Sequence, residues 1–269
     1  MNKFLVLLIL FSISLISCND ENISPANGKG TFNLSIGGLD DEIAQNYLSN
    51  FDLTNLIGSI TLVKTYNNNM NRDNTPYQEF TSDGYARFYD DNGFPLELGH
   101  IGVNNTNFED VGEQSYQTLG TSLNVNFGTG NNTINVSNNQ GHTLLDTNIT
   151  FDAPFMLTNF TYLQNFSKSS DRNITWTGSN NNSIVAFDIT TTWAVSDADT
   201  TSFNPGVASY FLTNNGNYLM VKEFIDNLKL GKSRLTISRT ELKILPLKNG
   251  KTVALVIIST YDSYVNITN

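Results

Sequence analysis

Few residue types in this chain can do chemistry, and their spacing limits which chemistry. Cys18 is the only cysteine, so disulfides and multi-thiolate metal sites are excluded. His100 and His142 are the only imidazoles. Together they could ligate a metal or a haem iron, but nothing in their spacing brings them to one place. Asp90-Asp91-Asn92-Gly93 and Asp197-Ala198-Asp199 offer oxygen ligands for calcium. The first segment lacks the leading ligand and distal Glu of an EF-hand loop and reads as a solvated turn. No G-x-S-x-G elbow accompanies either histidine. A glycosidase-type carboxylate pair would be assembled in space and leaves no local trace. Trp176 and Trp193 share strand faces with Ile174, Phe187 and Ile189, which assigns both to a core. Phe94 and Phe203 sit at turns and are the better stacking platforms. The expectation is a chain with no catalytic residue, no metal and no cofactor.

Cys18 has the most informative setting. Lys3 supplies a positive start, Phe4 to Leu10 is unbroken apolar sequence, and Leu15-Ile16-Ser17 leads into the cysteine. An apolar run of roughly 13 residues is too short to span a bilayer but fits a cleaved export signal. The segment resembles a bacterial lipoprotein signal with its lipobox. That resemblance implies cleavage after residue 17, lipidation of Cys18, and a membrane partner reached through acyl chains. The polar stretch 18–30 then reads as a lipidated tether. The expected location is the bacterial cell envelope, at the outer membrane ahead of the inner, facing periplasm or cell surface.

Charge removes other partners. The chain carries 25 acidic and 15 basic residues, a formal net charge of −10, with no basic cluster. Binding to nucleic acid through its phosphates is therefore not expected. Asparagine runs such as Asn67-Asn68-Asn69 and Asn180-Asn181-Asn182 read as composition rather than as sites.

The elements that must position these residues are strands. Phe32, Leu34 and Ile36 alternate with polar residues, as a half-buried strand does. Leu39, Ile43, Tyr47 and Phe51 recur at helical spacing, predicting a short helix over Asp40 to Asn50. Ile57 to Tyr66 returns to strand, and Asn67 to Pro76 reads as a loop. Further strands are expected at Tyr85–Tyr89, Leu96–Val103, Ser115–Leu119, Leu123–Phe127 and Thr133–Val136. A second set covers Phe155–Tyr162, Asn173–Thr177, Ser183–Val195, Ala208–Thr213, Tyr218–Val221, Ser233–Thr240 and Val253–Tyr261. Val253 to Ile258 is continuously apolar, which predicts a central strand buried on both faces. Glu223 to Lys229 reads as a single helical turn. Closely spaced turns predict an all-β chain of two antiparallel β-sandwich modules, 31–153 and 154–269, behind a signal peptide at 1–17.

Arg172-Asn173-Ile174-Thr175-Trp176-Thr177-Gly178, Asn214-Asn215-Gly216 and Leu235-Thr236-Ile237-Ser238-Arg239 resemble a pattern in two-domain β-sandwich lipoproteins of Bacteroidota. The resemblance implies an immunoglobulin-like C-terminal module, and Ala86 to Asn104 is similar to the hairpin of the first domain. It transfers no catalytic residue. Asp199-Thr200-Thr201 resembles the O-glycosylation acceptor of exported proteins in that phylum, which marks Thr200 for modification. The expected function is non-enzymatic binding or scaffolding by a lipid-anchored envelope protein, with a glycan or protein ligand. A carbohydrate-active hydrolase or glycan-binding surface lipoprotein is the alternative.

Overall fold

The computed structural model describes residues 42–70, 76–119, 123–128, 130–179, 182–191 and 207–269. Residues 1–17, Cys18, the tether, the strand expected at Thr31–Ile36, Trp193, Asp197, Asp199, Thr200 and Phe203 lie outside the described residues.

Among the described residues one short helix, α1 (Glu42–Leu48), precedes fifteen strands. In the first half these are β1 (Leu56–Met70), β2 (Pro76–Phe88), β3 (Leu98–Val103), β4 (Thr106–Asn107), β5 (Glu109–Asp110), β6 (Ser115–Gln117), β7 (Asn132–Asn138) and β8 (Thr143–Ile149). In the second they are β9 (Gln164–Ser167), β10 (Arg172–Thr175), β11 (Ser183–Thr191), β12 (Val207–Thr213), β13 (Asn217–Met220), β14 (Gly231–Pro246) and β15 (Thr252–Thr268). A 3-10 turn at Lys222–Ile225 stands where the helical turn is expected.

Nine strands form one sheet in the order β12-β11-β14-β15-β1-β2-β6-β5, with β9 taking the β1 side of β15 along its last residues. A four-stranded sheet, β4-β3-β7-β8, and a two-stranded sheet, β10-β13, complete the described sheets. Most ladders are antiparallel, as expected, but β1–β15 and β9–β15 run parallel. Hairpin-connected neighbours must alternate in direction. These two pairs join strands far apart in sequence, so no tight turn dictates their sense.

β15 organises the packing because both of its faces are apolar. Val253, Leu255 and Ile257 point into a core shared with Ile101 and Val103 of β3 and Ile134 and Val136 of β7. Tyr261, Val265 and Ile267 enter a second core with Phe166, Ile174, Trp176, Phe187 and Ile237. Ala254, Val256 and Ile258 face the other way, under Tyr47 of α1. The expectation for Val253–Ile258 is met: all six are buried. The four-stranded sheet thus packs over one half of the large sheet and β10-β13 over the other, a two-layer all-β arrangement.

Between the two cores a polar row crosses the sheet: Ser82 on β2, Lys64 on β1, Ser259 on β15 and Arg239 on β14. The next row is aromatic and aliphatic, running Phe80, Tyr66, Tyr261, Ile237, Phe187, Tyr210. The chain passes from one upper layer to the other over the polar row and is fastened to it. Arg239 Nη2 donates to the Ala153 carbonyl at 2.7 Å, and the Phe155 N–H donates to Ser259 Oγ at 2.7 Å.

Several boundaries differ from expectation for identifiable reasons. Asn67–Asn69 is strand, not loop, because β1 stays paired with β2 as far as Met70↔Pro76 and Asn68 Nδ2 donates to Tyr261 Oη. Leu123–Phe127 and Phe155–Tyr162 make only isolated bridges, Phe127↔Phe151 and Leu157↔Trp176. β8 and β9 carry mostly polar residues, with one buried side chain each, and show no apolar alternation to read.

Candidate functional site

The four-stranded sheet turns Ile101, Val103, Ile134 and Val136 inward, so alternation turns His100, Gly102, Thr133 and Asn135 outward. That outer face holds a concavity of about 460 Å³ lined by His100, Asn104, Asn105, Asn107, Asn124, Asn126, Thr133 and Asn135. The volume falls within the range of small-ligand sites, roughly 300–1,000 Å³.

Its asparagines divide into two sets. Asn104, Asn126 and Asn132 build the frame. Asn104 and Asn105 have φ of 49° and 69° and join β3 to β4 as the two-residue turn that a tight hairpin requires. Asn104 Oδ1 accepts from the Thr133 N–H at 2.8 Å, while its Nδ2 donates to the Asn124 carbonyl and to Asn132 Oδ1. Asn132, fully buried, also accepts from the Asn126 N–H and donates to the Asn126 carbonyl. The second set is uncommitted. Among the described residues, the side-chain amides of Asn105, Asn107 and Asn124 have no hydrogen-bond partner, and Asn135 uses only its oxygen.

Among the described residues His100 is the sole titratable group in the wall. Its Nε2 lies 3.4 Å from Asn135 Oδ1. The donor and acceptor roles of the two ring nitrogens depend on the tautomer. Gly102 lies under this pair: a Cβ there would come within 2.7 Å of both His100 Nε2 and Asn135 Oδ1. Among the described residues neither a carboxylate nor a Phe, Tyr or Trp ring lines the concavity. A hydrolytic cleft of the glycosidase kind would need the carboxylates. Asp146, opposite Asn135 on β8, is the nearest acid in its cross-strand row and lies outside the wall.

The other candidates are dispersed. His142 is in the turn before β8, where its N–H donates to Asn138 Oδ1, and so lies outside the wall that holds His100. Among the described residues no group of three or more His, Cys, Asp or Glu could hold a metal. Asp90 Oδ1 accepts the N–H groups of Asn92 and Phe94, bonds that hold its carboxyl below the usual range, while Asp91 pairs with Lys251 at 2.6 Å. The Asp90–Gly93 segment is a turn. Trp176 is buried in the second core, donates to Asn214 Oδ1 at 2.7 Å and lies 5.7 Å from the Phe155 ring, as a core residue should. Phe94 is exposed but stands apart from the concavity's wall.

The uncommitted asparagines escape a reading of the sequence. Asn104-Asn105 between alternating stretches is a hairpin signal, but which amides remain free depends on register and on Asn132.

No protein-family model matches the chain, and no curated protein matches it. Among solved structures, a tetra-tandem repeat in the extending region of a large adhesion protein is similar at 14% identity and a TM-score of 0.20, over 77% of this chain and 67% of that one. The chicken CNTN1 FN1–FN3 domains are similar at 13% identity and a TM-score of 0.18, over 78% of this chain and 70% of that one. At these TM-scores neither transfers a role, and the functional argument stays with the geometry.

Proposed function

We propose that the protein is a lipid-anchored component of the bacterial cell envelope that binds a ligand without transforming it. In this reading residues 1–17 are a signal peptide, Cys18 carries the lipid, and the chain beyond the tether presents one two-layer β-sandwich in which the halves expected as separate modules, 31–153 and 154–269, share the nine-stranded sheet through the β1–β15 pair. The observation that carries the binding role is the concavity on β3, β4 and β7, whose free amides are aimed outward by a framework of committed ones. Amides bind and orient but supply neither a nucleophile nor a strong acid or base. Thr200 remains a candidate O-glycosylation site of the same exported protein.

Two measurements test the reading. Cys18→Ala should abolish metabolic palmitate labelling and move the protein out of the membrane fraction; unchanged labelling sinks the anchor. The immobilised full chain should retain material from an envelope extract or spent growth medium, and Asn107→Ala with Asn135→Ala should release it. Retention indifferent to both substitutions would exclude the concavity.

A further inference from the structure

We infer that the concavity takes a neutral, hydroxyl-rich ligand, a glycan presenting vicinal diols, and that Gly102 is the residue that makes the recognition geometry possible. The inference deepens the binding role proposed above and rests on it.

The wall selects by what it lacks as well as by what it offers. Among the described residues it holds no Lys or Arg to neutralise an anionic ligand, and the chain's net charge of −10 repels one. It holds no carboxylate for a cation, and neutral amides alone are a poor set for a hard metal. It has no Phe, Tyr or Trp ring to anchor a flat apolar group. What remains is hydrogen bonding in both directions. Each free carboxamide places an acceptor oxygen beside a two-proton donor, and each sugar hydroxyl both donates and accepts, so one amide can span two adjacent hydroxyls. Asn105, Asn107 and Asn124 supply three such groups, Asn135 adds its Nδ2 donors, and His100 adds a ring nitrogen.

Gly102 sets the distance. It is buried beneath His100 and Asn135, paired across β4 with Asn107 and across β7 with Asn135. A Cβ here would collide with the far ends of two side chains rather than with backbone. Gly102 is not among the residues at positive φ, so the glycine is not required by backbone conformation. Its effect is to let the imidazole and the amide lie down over the strand and converge, which deepens the concavity and orders the donor–acceptor pair.

The test uses the full chain, purified in detergent, on an array carrying neutral gluco-, manno- and galacto-oligosaccharides beside uronate- and sulfate-bearing ones. The expected result is binding confined to neutral members and lost on periodate cleavage of their diols. Gly102→Ala should weaken it at least tenfold while circular dichroism and the melting profile stay those of the parent. Should that variant fail to fold, Asn105→Ala with Asn107→Ala, both exposed, should produce the same loss. Binding only to acidic members, binding to none, or neutral binding that both variants leave intact overturns the inference. Material retained from an extract in an Asn135-dependent way but resistant to periodate would overturn the ligand class while leaving the binding role standing.

Discussion

Arg239 is among the largest side chains buried essentially completely, and it faces no carboxylate at hydrogen-bonding distance among the described residues. Burial pulls its proton affinity below the usual arginine range, opposed by the more distant charges of Asp152 and Glu241. Its guanidinium instead solves a backbone problem. Ala153 and Gly178 turn carbonyls toward the sheet where two upper layers meet, and the two arms of one planar fork reach both, at 2.7 and 3.2 Å. A hydrogen bond from a charged donor contributes about 1.5–3 kcal/mol, and of the two carbonyls, among the described residues, only that of Gly178 keeps another donor, Asn214 Nδ2 at 2.9 Å. Arg239→Ala should therefore destabilise the protein by roughly 3–5 kcal/mol, the lost alkyl packing included. Arg239→Lys should recover little, because an ammonium is a point donor without the fork. Denaturant midpoints measure both, and a midpoint shared by Arg239→Ala and the parent would remove this role.

At the scale of elements, the Tyr47 hydroxyl ties α1 to the sheet. β11 and β14 pair as far as Ser183↔Glu241 and then part. At the next position the Tyr47 hydroxyl bridges them, donating to the Asn182 carbonyl and accepting the Leu242 N–H, each at 2.8 Å. Burial pushes this phenol up to about 12, against the Leu242 bond and aided by Glu241; burial likewise pushes Tyr261 up to about 12, against its bond from Asn68. A folded-state value above the unfolded one of about 10 gives stability that is complete below pH ~10 and lost as pH rises through ~12. Alkaline unfolding should fall in that window, with these two tyrosines ionising last by tyrosinate absorbance. Tyr47→Phe should cost about 1–3 kcal/mol at neutral pH by orphaning the buried Leu242 N–H. The gap between Tyr47→Phe and the parent should narrow near pH ~11, because the phenylalanine has nothing to ionise; a constant gap would contradict the assignment. The helix itself is legible from Ile43 and Tyr47 at helical spacing, and β15 from its apolar run. Neither the Tyr47 bridge nor the strand character of Asn67–Asn69 is. Both depend on partners far along the chain, Leu242 and Tyr261, and polar residues carry no periodic signal for them. The concavity is opaque for the same reason: seven asparagines look like composition until register separates those that build from those left free.

For the whole molecule, the sheet is continuous where the cores are not. The first core draws almost entirely on residues before 153 and the second on residues after it, yet β15 serves both. Over Leu56–Asn67 and Thr252–Asp262, β1 and β15 pair in parallel, and Val253, Leu255 and Ile257 are covered by layers contributed from the first half. A fragment spanning 154–269 would expose these three side chains, each worth about 1.5–3 kcal/mol of burial. It would also leave one edge of a seventeen-residue strand open along most of its length. Against a typical stability of roughly 5–15 kcal/mol for a domain, that loss is decisive. The isolated fragment should therefore show no cooperative melt and should associate through the bared edge of β15. Supplying residues 31–153 as a separate chain should restore a cooperative transition, because the missing strand is β1. A sharp, concentration-independent melt of 154–269 alone would mean that the second core stands without its neighbour. In that case β1 would be an attachment between two independent bodies rather than part of their common frame.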